Sequence, residues 1–245
     1  MDWYIIETMK RLTEYSQHFL RSPQLVAELV GHSDIKKRDV VYDIGAGSGV
    51  ISSVLARRAA LVVAVEFEPK AAAKLRDNMA RYGNVTVIEG DGMSVSFPTT
   101  AYKIFANIPF HLSSPLVRRL LSLANPPQSM YLIVQKQFAK KLLPNNDGFS
   151  SQLGMMIGPW FAVKIKRPLR RTDFWPFPNV DTVLLEVKHR TDPPLPSARR
   201  AEYEAYITRC FTDPKYFHET TGRIEKPSSL KVADWIELFL NRKEK

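Results

Sequence analysis

The residues best suited to chemistry in this chain are Asn107-Ile108-Pro109-Phe110. Asn107 brings an amide oxygen, and Pro109 has no N–H, so the neighbouring backbone carbonyls point outward with no adjacent competing donor. Phe110 brings a flat ring face. Such a tetrad can grip an exocyclic amino group on a base. Two acceptors take its hydrogens and turn the nitrogen lone pair toward an incoming methyl, while the ring stacks on the base. The plain alternative is a strand-end turn, since Asn and Pro are common turn residues.

A donor for that methyl has a candidate site upstream. The run Val40-Val41-Tyr42 stops at Asp43, and Gly45, Gly47 and Gly49 then lead into a helical stretch from Val50 to Ala56. Glycines are needed where the backbone turns sharply and lets a ligand approach closely. A second apolar run, Leu61 to Val65, ends in Glu66, roughly 20 residues beyond Asp43, where nucleotide-type folds place an acid on ribose hydroxyls. The glycines do not follow Gly-x-Gly-x-x-Gly, and no Walker lysine follows, so a phosphate-bearing ligand is disfavoured. The pattern suits S-adenosylmethionine, whose ammonium group can use nearby carboxylate and carbonyl oxygens. An ordinary glycine turn in another α/β domain is the alternative. A third run, Asn84 to Glu89, leads to Gly90-Asp91-Gly92. Asp91 could accept a hydrogen bond from an adenine amino group, or be a surface turn residue.

The elements that must position these residues alternate. Strands at 40–44, 61–65, 84–89, 102–106 and 130–134, with helices at 50–56, 69–82, 114–123 and 135–142, predict a parallel sheet with the ligand at its carboxyl edge. Apolar spacing also predicts a short helix over residues 3–15, and Ser22-Pro23 starts another over 24–30. Residues 145–151 read as a mobile loop, and 161–167 and 182–189 as late strands that pair as a hairpin. Between these lies Phe174-Trp175-Pro176-Phe177-Pro178-Asn179-Val180-Asp181, stiffened by two prolines. Its rings either offer a stacking surface or, as expected for Trp175 and Phe177, plug the sheet edge. Asp192-Pro193-Pro194-Leu195-Pro196 marks a boundary, followed by helices over 197–211 and 228–240. The expected fold is α/β: a Rossmann-like S-adenosylmethionine-dependent methyltransferase sheet in a catalytic domain over 1–190, with a small C-terminal helical domain over 191–245.

Composition narrows the setting. The chain has 245 residues, 44% of them hydrophobic, enough for a full core plus a smaller appendage. No run of about 18 apolar residues predicts a membrane span, and the acid-bearing first residues do not read as a signal peptide. A lone cysteine, Cys210, excludes an internal disulfide and a cysteine-built metal site, and suits a reducing cytoplasm. No metal is expected. Between Ala101 and Arg171 stand eleven basic side chains and one acid, Asp147, an excess equal to the formal +10 of the whole chain. That clustering is either the footprint of a polyanion or a solvated face. The basic residues expected on such a polyanion, RNA by the resemblance given next, are Arg118, Arg119, Lys136, Lys140, Lys141, Lys166, Arg167, Arg170 and Arg171.

From about Gln17 to His189 the chain resembles the Erm family of rRNA adenine-N6 methyltransferases, sisters of the KsgA/Dim1 dimethyltransferases. The resemblance rests on Gln17-His18-Phe19-Leu20, Asp43-Ile44-Gly45-Ala46-Gly47-Ser48-Gly49, Glu66, Asp91, the Asn107–Phe110 tetrad and the Phe174–Asp181 loop. Ile108, and Tyr131-Leu132-Ile133-Val134 running into Phe138-Ala139-Lys140-Lys141-Leu142, look more like Erm than KsgA. The resemblance implies that His18, Leu20 and Gly45 line the methionine part of the cofactor, Glu66 holds its ribose and Asp91 its adenine amino group. Gly47, Phe67 and Gly92 complete the expected cofactor set. Asn107 would touch both cofactor and target, with Ile108 and Pro109 completing the tetrad, and Phe110 and Phe174 would sandwich a flipped base. His18 and His111 stand where the family commonly has asparagine, and Phe110 lacks the tyrosine hydroxyl.

The implied activity is methylation of N6 of an unpaired adenine in 23S rRNA, with macrolide-type resistance, by a cytoplasmic monomer acting on protein-free or precursor RNA. Alternatives are small-subunit rRNA dimethylation as in KsgA, a guanine, a DNA adenine, or a non-catalytic nucleic-acid-binding factor of the same fold.

Overall fold

The structure, a computed structural model, describes residues 18–144 and 150–242. The helix expected over 3–15, Gln17 and the loop residues 145–149 lie outside the described residues. The chain divides into two units, Met1–Lys136 with Ile165–Glu186, and Gln137–Lys164 with Val187–Lys245. The boundary therefore does not fall at residue 190: residues 137–164 belong with the C-terminal helices.

The first unit is built on a sheet. Its strands are β2 (Val40–Ile44), β3 (Leu61–Glu66), β4 (Val85–Glu89), β5 (Lys103–Asn107), β6 (Ser129–Gln135), β7 (Phe161–Leu169) and β9 (Thr182–His189), in the order β4-β3-β2-β5-β6-β9-β7. The β7 and β9 segments that belong to this unit are 165–169 and 182–186. The β2–β3, β3–β4, β2–β5 and β5–β6 pairs are parallel. Parallel strands need crossover helices, which cover both faces, so β3 and β6 read as nearly continuous apolar runs and are buried. The late strands are neighbours, as expected of a pair.

Crossovers are α2 (Val50–Leu55), α3 (Pro69–Met79) and α4 (Ser113–Ser122), preceded in the chain by α1 (Pro23–Gly31). Ser22 caps α1 through the Leu25 N–H, and Glu68 caps α3 through Ala71, each followed by a proline at the first helical position. Helix α3 stops at Met79, three residues short of the expected end. The main core gathers Val26, Leu29, Val41, Leu55, Phe105 and Ile133 among others. Beneath it Lys103 is buried, with Nζ 2.9 Å from carboxylate oxygens of both Asp34 and Asp39.

A two-stranded ribbon was not expected. Strand β1 (Phe19–Leu20) pairs antiparallel with β8 (Phe174–Trp175), Phe19 opposite Trp175 and Leu20 opposite Phe174.

The second unit is helical: α5 (from Lys136 at the unit boundary to Leu142), α6 (Gln152–Ile157), α7 (Arg200–Thr212), α8 (Pro214–Thr221) and α9 (Val232–Asn241). Gly154 and Gly158 allow close approach, since a Cβ there would lie 2.6 Å from the Lys141 carbonyl or 2.4 Å from Val232. Its core is aromatic, with Trp160, Tyr203, Phe217, Trp235 and Phe239 buried and edge-to-face contacts such as Tyr203–Phe239 at 5.1 Å. Helices α6 and α8 were not expected, although α8 has local signals: Asp213 as cap, Pro214 at its start and Gly222 left-handed just past its end.

Candidate active site

The winding of the sheet reverses beside β2, which has β3 on one side and β5 on the other. Ligands of open α/β sheets bind outside the carboxyl ends of the strands at such a point. A cavity of about 390 Å³ lies there, lined from the ends of β2 (Ile44, Gly45), β3 (Glu66, Phe67) and β5 (Asn107), and from Asp91 beyond β4. That volume is within the range of small-molecule sites.

The glycine turn shapes one wall. Gly45, Gly47 and Gly49 all have positive φ, which L side chains rarely adopt. At Gly49 a Cβ would also meet Leu75 at 2.7 Å and Met79 at 2.8 Å, so the turn is seated against α3. The Gly47 N–H donates to Glu66 Oε2 at 2.7 Å, and the Glu68 N–H to Oε1 at 2.9 Å. Two backbone donors thus hold the buried Glu66 carboxylate, and each oxygen keeps a lone pair for a ligand hydroxyl.

Asp43, one strand over, behaves differently. It is wholly buried, with Oδ2 accepting from the Ser52 hydroxyl at 2.6 Å and no hydrogen-bond partner at Oδ1. Burial pushes its carboxyl up to about 7, the Glu66 charge adding to the rise and the Ser52 hydrogen bond opposing it. Beyond β4 the Asp91 carboxylate is exposed and accepts from the Met93 N–H at 2.8 Å.

The opposite wall is the tetrad. Asn107 Nδ2 donates to the His18 carbonyl at 2.6 Å, which leaves Oδ1 as an acceptor. The His18 ring lies 5.3 Å from that of Phe110, and its Nδ1 donates to the Pro176 carbonyl at 2.8 Å. His18 therefore ties the tetrad to the proline-rich loop. All four tetrad residues line the cavity, as do His18, Gly45, Glu66, Phe67, Asp91 and Gly92.

Three expected site residues do not line it. Leu20 is buried in the main core, and Gly47 acts one layer back through Glu66. Phe174 corrects the expectation of a two-ring sandwich, because it is 0% exposed within the core and presents no face to a base. The register of the β1–β8 ribbon is the reason. Residues directly opposite one another share a face, so Leu20 and Phe174 turn inward while Phe19 and Trp175 turn out. Trp175 and Phe177 are 50% and 45% exposed, so neither ring plugs the sheet edge. Residues missed from sequence include Phe19, Met93, His111 and Leu112, which line the cavity. The Phe19 ring sits over Gly47, where a Cβ would be 3.2 Å away.

The basic candidates do not form a single bare surface. Lys136 faces Asp181 at 3.5 Å, Lys166 faces Glu186 at 3.6 Å and Arg167 pairs with Glu28. The Arg167 guanidinium holds the Glu28 carboxyl below its ordinary value, chiefly by hydrogen bonding. Arg171 donates to the Pro178 carbonyl at 2.6 Å. Arg119 is an internal clamp: it donates to the carbonyls of Val95 at 2.6 Å and Gly92 at 3.4 Å and lies over the Phe97 ring. It thereby braces the turn that carries Asp91. Arg118, Lys140, Lys141 and Arg170 are exposed.

The fold and the site define a Rossmann-like S-adenosylmethionine-dependent methyltransferase. The glycine cradle, the backbone-held Glu66 and the open Asn107 oxygen fit that cofactor. The description of the family Ribosomal RNA adenine dimethylase matches residues 8–216. An rRNA adenine N-6-methyltransferase of Limosilactobacillus reuteri is 30% identical over 240 residues, 94% of this chain and 96% of that protein. A dimethyladenosine transferase of Yarrowia lipolytica is 30% identical over 206 residues, 82% of this chain but 64% of that protein's length. Among solved structures, that of the 23S rRNA methyltransferase ErmE has the same fold, with a TM-score of 0.78 at 24% identity over 91% of this chain and 98% of that one. The chain belongs to the ribosomal RNA adenine dimethylase family of S-adenosylmethionine-dependent rRNA adenine methyltransferases.

Proposed function

We propose that this protein methylates N6 of an unpaired adenine in 23S rRNA, as a cytoplasmic monomer acting on protein-free or precursor RNA, and so confers macrolide-type resistance. The observation that carries the chemistry is the Asn107 amide, turned by the His18 carbonyl so that its oxygen remains an acceptor at the cavity wall. Asn107 Oδ1 and a neighbouring tetrad carbonyl accept the two N6 hydrogens and direct the lone pair, and Phe110 stacks on the base. Glu66 and Asp91 hold ribose hydroxyls and an adenine amino group of the cofactor, with His18 and Gly45 at its methionine end. Bound S-adenosylmethionine supplies an electrophilic methyl on a sulfonium. No general base is required, and positioning by these residues supplies most of the rate. A flipped or looped base meets the pocket more readily than one in a duplex.

Support for the 23S target comes from the Erm-like Ile108 and Tyr131–Val134, while the nearly end-to-end match with the Limosilactobacillus reuteri protein supports rRNA adenine N6 methylation. The relative named a dimethyladenosine transferase, with one named a probable ribosomal RNA small subunit methyltransferase A, keeps small-subunit dimethylation as the second reading. Incubation with labelled S-adenosylmethionine and, separately, protein-free large-subunit and small-subunit rRNA tests the two. N6-methyladenosine confined to large-subunit RNA is expected; label on small-subunit adenines instead would overturn the target.

A further inference from the structure

Among the described residues of the first unit, four large rings are exposed, at Phe19, Phe67, Trp175 and Phe177. Phe19 and Phe67 line the cavity, whereas Trp175 and Phe177 are not used by the chemistry above. We propose that Trp175 and Phe177, continuing outward from Phe19, form a stacking platform for the unpaired bases that flank the target adenine. The proposal rests on the reading of the cavity as the site of an unpaired adenine in RNA.

Continuity with the cavity is set by backbone register. Phe19 lies directly opposite Trp175 on the outward face of the β1–β8 ribbon, and Trp175 meets Phe177 with centroids 5.6 Å apart and planes at 88°. Three rings therefore lead from the cavity wall onto the loop. The loop is held before any ligand arrives. The His18 Nδ1 hydrogen bond to the Pro176 carbonyl, the Arg171 hydrogen bond to the Pro178 carbonyl, and the Arg21 N–H to Asp173 carbonyl bond at 3.0 Å tie it on three sides. A pre-ordered aromatic surface loses little conformational freedom on binding.

The surrounding charge selects the occupant. Arg21, Arg170 and Arg171 are exposed beside the rings in sequence, while Asp173 is engaged with the Arg170 N–H at 2.7 Å and Asp181 faces Lys136. Exposed rings bordered by cations bind single-stranded nucleic acid, the rings taking bases of any identity and the cations the phosphates.

The test is an affinity cycle on the intact protein. A short unstructured RNA with a single adenine is compared with the same RNA made abasic on both sides of that adenine, by fluorescence anisotropy. Wild type, Trp175→Leu, Phe177→Leu and the double variant are measured, with Trp175→Tyr as the conservative control. Phe177→Leu leaves the β1–β8 ribbon untouched, which guards against a folding artefact. The double variant is expected to lose roughly 5- to 150-fold in affinity for intact RNA per lost stack, to bind abasic RNA as wild type does, and to bind S-adenosylmethionine normally. Trp175→Tyr is expected to stay near wild type. Equal affinity of double variant and wild type for intact RNA overturns the platform and leaves the rings to a protein surface. An equal loss on abasic RNA overturns it too, because the effect would not then pass through the flanking bases. Methylation of large-subunit rRNA by wild type is scored separately. Its absence would sink the target reading while a base-specific loss still upheld the platform.

Discussion

The two walls of the cavity are held in opposite ways. On the sheet-edge wall, Glu66 is fixed by the N–H groups of Gly47 and Glu68, so its placement follows from neighbouring strand ends and a local turn. Across the cavity, the tetrad wall rests on His18 and Phe19, which are tied to the loop from Phe174 to Asn179, more than 150 residues further on. Where backbone close in sequence does the holding, residue type and spacing reveal the role. Where a distant strand decides which rings turn inward, they do not. Phe174 and Trp175 are adjacent aromatics, yet one is core and the other surface.

The strongest test of this contrast is Asn107→Ala, which removes the acceptor at the point where the walls meet through His18. Methyl transfer is expected to fall roughly 10²- to 10³-fold in kcat, the scale of losing one aligned polar group at a reacting centre. Cofactor affinity, measured by calorimetry, should fall much less; near-normal turnover would remove the assigned role.

Asp43→Asn probes the strand-end acid that local backbone does not satisfy. A carboxyl raised to about 7 in the folded protein takes up a proton more readily than in the unfolded chain. Its contribution to stability is therefore full below the ordinary carboxylate value and is lost as pH rises through 7. Wild type should lose stability relative to Asp43→Asn by on the order of 1.4 kcal/mol per pH unit across that window. Parallel stability curves from denaturant titrations at pH 4 to 8 would show that Asp43 does not carry the buried charge.

Glu66→Gln sharpens the contrast between the two acids. Both carboxylate oxygens accept backbone N–H groups, so an amide must set its NH₂ against one of them, at a cost of about 1 to 3 kcal/mol. Weaker cofactor binding with a lower melting temperature is expected, and unchanged binding would mean that the acid is not a cofactor ligand.

The smallest effect is expected from Arg119→Met. Loss of the hydrogen bonds to Val95 and Gly92 should loosen the Asp91 turn and weaken cofactor binding roughly three- to tenfold. The salt dependence of RNA binding should not change. A shallower salt slope with normal cofactor binding would instead make Arg119 a phosphate contact.

Local order determines much of this protein. The glycine turn, the acids ending successive runs, the tetrad after β5 and the alternation of apolar runs with capped helices each follow from residues close in the chain. The parallel sheet was legible as well, because strands alternating with helices are the pattern of parallel pairing through crossovers. Helix α8 was not expected, although its Asp213-Pro214 start and Gly222 stop are local signals. Tertiary structure alone decided the rest. The excess charge of 101–171 is partly cancelled in space, because Asp34, Asp39, Glu28, Asp181 and Glu186 lie outside that stretch yet meet Lys103, Arg167, Lys136 and Lys166. Arg119 became a clamp because two carbonyls of a turn more than 20 residues earlier lie within its reach. The β1–β8 register buried Phe174 and exposed Trp175, a choice that rests on which strand stands opposite. Spacing along the chain records what a residue can do, while partners across the fold decide which of those capacities remain open.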